Sequence, residues 1–432
     1  MSHTRPRGWR RLAVLAMAPL LALSATAATA QGVWVTAPPL PTARTGVTGA
    51  AADCPDGLRG TCVYAVGGGG GDILTAYSPS VGTWVTLPPV KTPRVGQTTT
   101  TAPCPEGVRG DCVYTLGGLF ALALLNTVEA YSVETNAWLT VRSLTSPRSN
   151  AASATAPCPH DLGLRGTCVY IFGGNDENGP VTTVEAYSPA TNTWATLAPL
   201  QTARFNHAGT AAPCPGGLGL KGTCVYAIGG ATTGTPELAS VEVYSPILNA
   251  WQYIPDMPTA RTEASAATAP CPDGMSDGCV YVLGGLNGTT GLTTAEAYTP
   301  VSNAWVTLPS MPTVHRQFGA AAAPCPKNTK QDCVYAFGGL DAAGVPTATT
   351  EAFTIERAKG GSKPEPKPTA KPTAQPTAKP SEPSAHPHPK PSTHPKPSAH
   401  PKPSTQPRPP VDDPFEDTPL ATSPRTGADP TS

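Results

Sequence analysis

The sequence predicts an all-β fold of six consecutive four-stranded blades, on three observations. Twelve cysteines fall into six pairs set in one recurring context: CPDGLRGTCVYAVGG, CPEGVRGDCVYTLGG, CPHDLGLRGTCVYIFGG, CPGGLGLKGTCVYAIGG, CPDGMSDGCVYVLGG and CPKNTKQDCVYAFGG. Trp34, Trp84, Trp138, Trp194, Trp251 and Trp305 mark the same repeat, and the first cysteine of each pair follows its tryptophan by 20 positions every time. Each period of about 50 residues contains four short apolar runs separated by turn residues, which describes one propeller blade.

The elements follow in order. The first strand of each unit is made of Ala, Thr, Ser and Gly (GVTGAAA, GQTTTTA, NAASATA, HAGTAA, EASAATA, GAAAA), as required where neighbouring blades crowd the central axis. The second is the CVY strand ending in a glycine pair, the third reads TVEAYSP, and the fourth, TWATL, carries the tryptophan and runs into Pro-rich sequence. The chain starts with an unaccompanied fourth strand (GVWVTAP) and its last unit stops after the third (ATTEAFTI). The N-terminal strand should therefore complete the last blade and remove the open edges. From the second cysteine to the next tryptophan the spacing varies, at 22, 26, 26, 27 and 26, which marks loops.

Each cysteine pair flanks the turn between first and second strands, where antiparallel neighbours lie within the ~4.4–6.8 Å Cα separation a disulfide tolerates. The expected bridges are Cys54–Cys62, Cys104–Cys112, Cys158–Cys168, Cys214–Cys224, Cys271–Cys279 and Cys325–Cys333. No Cys-x2-Cys spacing points to a metal, and no metal or other cofactor is expected. In an up-and-down blade the loops alternate ends, so the stapled turns share one face with the third-to-fourth turns. The opposite face carries the variable loops, among them LFALALLNT and NDENGPVTT, and is where binding is expected.

A diglycine closing the second strand, a Glu-x-Tyr strand, a Trp after TNT or SNA and an Arg ten residues beyond it together resemble the kelch family over residues 33 to 355. The resemblance implies a six-bladed β-propeller. The cysteine pairs are an addition to the usual kelch pattern.

At ten residues past the tryptophan stand Arg44, Arg94, Arg148, Arg204 and Arg261, with His315 and then Arg316 in the sixth unit. Polar residues follow, and the candidate ligand contacts are Arg94, Gln97, Asn150, Asn206, His207, Glu263, His315, Arg316 and Gln317. Such a funnel of guanidinium and amide groups suits carboxylates, sugars or an acidic peptide. The competing reading makes the repeated arginines scaffold groups paired with Glu129, Glu185, Glu242, Glu296 and Glu351, Thr75 standing in blade 1. Kelch relatives also include copper radical oxidases and sugar mutarotases. Every cysteine here is committed to a hairpin, which argues against the copper chemistry. A carbohydrate-active enzyme using Glu263, His207 and His315 is the alternative to a binding module.

Residues 1 to 30 hold Arg5, Arg7, Arg10 and Arg11, an apolar run and ATAATA before Gln31, the pattern of a secretory signal. No later apolar run approaches the ~20 residues of a membrane span. Residues 31 to 358 form the expected propeller, with 15 basic against 22 acidic groups, which excludes the basic stripe that nucleic acid requires. Residues 359 to 432, rich in Pro, Lys, His, Ser and Thr, are expected to be a disordered polyproline-type spacer with a role at a cell wall or surface. The expected product is a secreted monomer, extracellular or surface-associated, whose partner is an extracellular protein or glycan.

Overall fold

The computed structural model describes residues 32–160, 162–272 and 278–356; the expected export segment and the Pro-rich tail lie outside these. Among the described residues the regular elements are β-strands, and no helix is long and apolar enough to cross a membrane. The main strands form six four-stranded antiparallel sheets, the blades of a propeller. Blade 1 is Thr48–Asp53, Thr61–Val66, Leu74–Ser78 and Thr83–Leu87, and the next four blades repeat that order.

Blade 6 takes three strands from the end of the ring, Gly319–Cys325, Asn328–Phe337 and Thr350–Thr354, and its outer strand from the beginning, Trp34–Ala37. Trp34 pairs with Phe353 and Ala37 with Thr350, so the two ends of the propeller are zipped in one sheet. The tryptophans extend this linkage around the ring. Each indole N–H donates to a carbonyl of the preceding blade: Trp84 to Pro38 (2.9 Å), Trp138 to Pro88 (2.8 Å), and so on to Trp34, which reaches Pro309 (2.8 Å).

The TNT and SNA turns have a local cause. Asn136, Asn192, Asn249 and Asn303 take positive φ, which asparagine tolerates, and each side-chain oxygen accepts the hydroxyl of Tyr131, Tyr187, Tyr244 or Tyr298 five residues back. The second glycine of each pair is required by close approach. A Cβ on Gly285 would stand 2.5 Å from the Thr262 carbonyl, and one on Gly174 would stand 2.6 Å from that of Ser149.

All six cysteine pairs are bridged within their own hairpins, with Cα separations of 4.8–4.9 Å. Closing a nine-residue loop contributes about 2.5 kcal/mol in the chain-entropy treatment. Replacing Cys104 and Cys112 together by Ala is therefore expected to lower stability by about that amount, read from the urea midpoint. An unchanged midpoint would show that the staple does nothing for the folded ring.

Candidate functional site

The loops entering the first strands meet at the axis. Gly46, Gly96, Asn150, Asn206, Glu263 and Gln317 hold the same place in the six blades, and all adopt left-handed backbone with φ between 50° and 68°. Their peptides form a belt. The Gly46 N–H donates to the Gln317 carbonyl (2.8 Å), Gln317 to Glu263 (3.1 Å), Glu263 to Asn206 (3.0 Å), Asn206 to Asn150 (2.9 Å) and Asn150 to Gly96 (2.7 Å). Between blades 2 and 1 a side chain completes the circuit, since the Gln97 Nε2 donates to the Gly46 carbonyl at 3.4 Å.

Above and inside this belt lies a funnel of about 590 Å³, on the face opposite the stapled turns. Its wall includes Gln97, Asn150, Asn206, His207, Glu263 and Gln317, six of the residues expected from sequence. Sequence reasoning missed the hydroxyls below them. Thr48 bonds Thr99 (2.6 Å) and Thr98 bonds Ser153 (2.7 Å) across neighbouring inner strands, so these small residues supply polar contacts between blades as well as room. The signal was present in TTTT and ASAT, read there only as small size.

Arg94 and His315 are buried away from the funnel, which corrects the reading of these two as ligand groups, and Arg316 is not among the residues of its wall. Arg94 is 1% exposed and buried inside its blade, where it donates to the Gly117 carbonyl (2.9 Å) and pairs with Glu129 at 3.0 Å. Arg148–Glu185, Arg204–Glu242 at 2.7 Å and Arg261–Glu296 at 3.0 Å repeat the device. His315 is fully buried. Its ring shares hydrogen bonds with the Gly338 carbonyl (2.8 Å) and the Thr313 hydroxyl (3.1 Å) and lies 3.7 Å from Glu351, out of reach of a ligand in the funnel. Arg316, a quarter exposed, stands 3.5 Å from Glu263. The carboxylates that accept these guanidiniums also cap the preceding loop: Glu242 takes the N–H groups of Gln201 (2.7 Å) and Thr202 (3.1 Å). In blade 1, Thr75 supplies only a hydroxyl at 2.7 Å, and burial lowers Arg44 to about 10.

His207 is the one imidazole in the funnel wall. Burial and the nearby Arg204 charge hold it well below its ordinary 6.5, and the Phe172 backbone pulls weakly the other way without a hydrogen bond of good geometry. A depressed imidazole favours the neutral ring in the folded state, so its contribution is complete above about pH 6.5 and lost as pH falls toward the folded value. Stability is expected to decline with acidification below pH 6.5 more steeply in the native protein than in His207→Gln. The glutamine at the matching place in blade 2 already bridges to a neighbouring blade, donating to the Val66 carbonyl at 3.2 Å. Parallel profiles would remove His207 as the cause.

The run LFALALL forms a small hairpin of its own. Leu119–Phe120 and Ala123–Leu124 are its two strands, with Ala121 and Leu122 at the turn, Leu122 92% and Phe120 47% exposed. Asp176, Glu177, Asn178 and Gly179 make a tight turn, the Asp176 carboxylate accepting the Asn178 N–H at 2.7 Å. His160 is exposed in the stapled turn.

A family model described as Kelch motif matches residues 107–145, 157–201, 213–258 and 267–312. Kelch-like protein 35 of Mus musculus is 30% identical over 222 residues, covering 51% of this chain and 32% of that protein. Kelch-like protein 36 of Mus musculus is 27% identical over 215 residues, 48% of this chain and 31% of that protein. Kelch-like protein 23 of Homo sapiens is 26% identical over 242 residues, 45% and 39% respectively. The chain thus spans about a third of the length of these relatives. The chain carries four repeats that match the Kelch motif and folds as a six-bladed kelch-type β-propeller, closed by its own first strand and with a disulfide in each blade.

Proposed function

We propose that the propeller is a binding module whose ligand, an extracellular protein or glycan, docks in the funnel of the unstapled face. The observation that carries this reading is the funnel itself: a concave, preformed cavity ringed by amides and hydroxyls, built where the variable loops converge. The stapled face has disulfide-closed turns, and the cavity beside Pro55, Asp56 and Leu58 there is smaller, about 330 Å³. An export pattern at residues 1 to 30 and the pairing of all twelve cysteines support action outside the reducing cytosol. The Pro-rich tail then serves as a spacer toward a wall or surface, and the propeller acts as a monomer.

The test uses the full chain on a protein and glycan array, followed by substitutions measured against the strongest hit. Asn206→Ala and Gln317→Ala are expected to weaken binding about tenfold with little change in melting temperature. Arg59→Ala and Arg109→Ala, exposed in stapled turns, are expected to leave it unchanged. The reverse pattern would move the site to the other face.

A further inference from the structure

The funnel mouth is chemically two-sided, and the topology sets its two sides across the axis from each other. On blade 2, Val95 and Leu119 line the funnel, paired backbone to backbone by hydrogen bonds of 3.0 and 2.7 Å, and the hairpin above them presents Phe120 and Leu122 to solvent. Three blades away, on blade 5, stands Glu263, the one charged residue in the funnel wall. The Glu263 Oε1 accepts the Gln317 amide at 2.7 Å, while its Oε2 has no hydrogen-bond partner and a long ion pair with the quarter-exposed guanidinium of Arg316 at 3.5 Å. Among the described residues no Lys or Arg lines the cavity: the kelch arginines are buried in their blades, and Arg316 stands against Glu263.

Two further observations point to a ligand at these places. Gln97, nine-tenths buried in the wall, commits its Nε2 to the Val66 and Gly46 carbonyls and leaves its Oε1 without a donor. Left-handed backbone, which costs ~1–2 kcal/mol outside glycine and is eased in asparagine, is otherwise held by only five described residues: Ala121, Leu122, Glu263, Gln317 and Lys327. Four of the five stand at the two sides of this funnel mouth, Glu263 and Gln317 at the belt position that every blade holds left-handed, and Ala121 and Leu122 at the turn of the blade-2 hairpin. In the corresponding blade-5 turn Gly288 stands where Ala121 does and Thr289 stands where Leu122 does, so the turn does not require an apolar residue there.

We propose that the funnel mouth recognises a cationic, apolar-flanked peptide segment of a partner protein, its ammonium or guanidinium facing Glu263 and its bulky apolar residue lying on Val95, Leu119, Phe120 and Leu122. This rests on the reading of the unstapled face as the binding surface, and it inverts the charge expected from sequence, where exposed arginines favoured an acidic ligand. Unfilled acceptors at Gln97 and Glu263 call for donors, and an apolar ledge calls for an apolar side chain. A glycan supplies the donors without the cation or the apolar residue.

The full chain is screened against synthetic dodecapeptides carrying Lys or Arg, Ser, or Glu at one position and Leu, Phe or Ser a few residues away, beside a panel of neutral oligosaccharides. Basic apolar peptides are expected to bind, with affinity falling as salt rises. Glu263→Gln is expected to weaken them about tenfold and to flatten the salt dependence. Leu122→Asn is the decisive variant. Asparagine suits the left-handed turn, so the melting temperature should rise by about 1–2 °C while affinity drops several-fold. Selection of acidic peptides or oligosaccharides, with loss on Asn206→Ala, would overturn the proposal and leave the funnel as the binding site. Binding of any probe that no funnel substitution alters would overturn both readings.

Discussion

Glu242→Ala is expected to lower stability by about 3–5 kcal/mol, the cost of leaving one member of a buried ion pair alone. Arg204 and Glu242 are each 0% exposed and meet at 2.7 Å. Removing the carboxylate strands the Arg204 guanidinium, whose charged form burial already disfavours, and also orphans the N–H groups of Gln201 and Thr202. Glu242→Gln should recover part of the loss, because an amide oxygen still accepts from the same donors. Urea denaturation of the two variants decides the matter. A loss under 1 kcal/mol for the alanine variant would mean that the guanidinium escapes to water, contrary to its placement under the glycine pair at 2.9 Å from the Gly229 carbonyl. Blade 1 shows what the scaffold does without a glutamate. There Arg44 is held by Thr75 and by the carbonyls of Ala65 and Ile73 alone.

Deleting residues 31 to 37 should be the most damaging change to the ring, costing on the order of 5 kcal/mol: loss of a packed Trp side chain alone is worth ~3–5 kcal/mol. Trp34 packs on Phe353 at a ring separation of 5.3 Å and anchors to blade 5 through Pro309. The four register pairs from Trp34 to Ala37 go with it, and the strand Thr350–Thr354 becomes an open edge that invites association with other chains. A fall in melting temperature together with higher-order species on size exclusion is expected. Deleting residues 362 to 432 is expected to change neither. Equal melting temperatures for the N-terminal deletion and the full chain would show that the ring holds without its closing strand.

Most of the fold was legible because the repeat states each element six times. Trp-to-Cys spacing, the glycine pair and the Glu-x-Tyr strand are local demands: a tight turn, a carbonyl too close for a Cβ, an alternating strand. The closing strand was legible by counting, since an odd fourth strand at the start and a missing one at the end have one economical resolution. Legibility was lower in the funnel. Gln97, Asn150, Asn206, His207, Glu263 and Gln317 were found by their place after the arginine, while Thr48, Thr99 and Ser153 were passed over as small residues.

The arginines show where sequence reasoning stops. Their recurrence suits an internal brace better than a ligand-binding ring, but it does not by itself place the side chains. Which way a long side chain turns depends on partners 35 to 38 residues away, such as Glu129 for Arg94 and Glu242 for Arg204, and on the loop carbonyls that complete the guanidinium's bonds. Burying a guanidinium is tolerable only where a carboxylate and carbonyls meet it, and that coincidence exists only once the blade is assembled. By itself the sequence determined six stapled blades, their closure and the face where the variable loops gather. Tertiary structure alone decided that the repeated arginines point inward and that an acidic corner faces an apolar ledge across the axis, because both follow from how six blades stand around one centre.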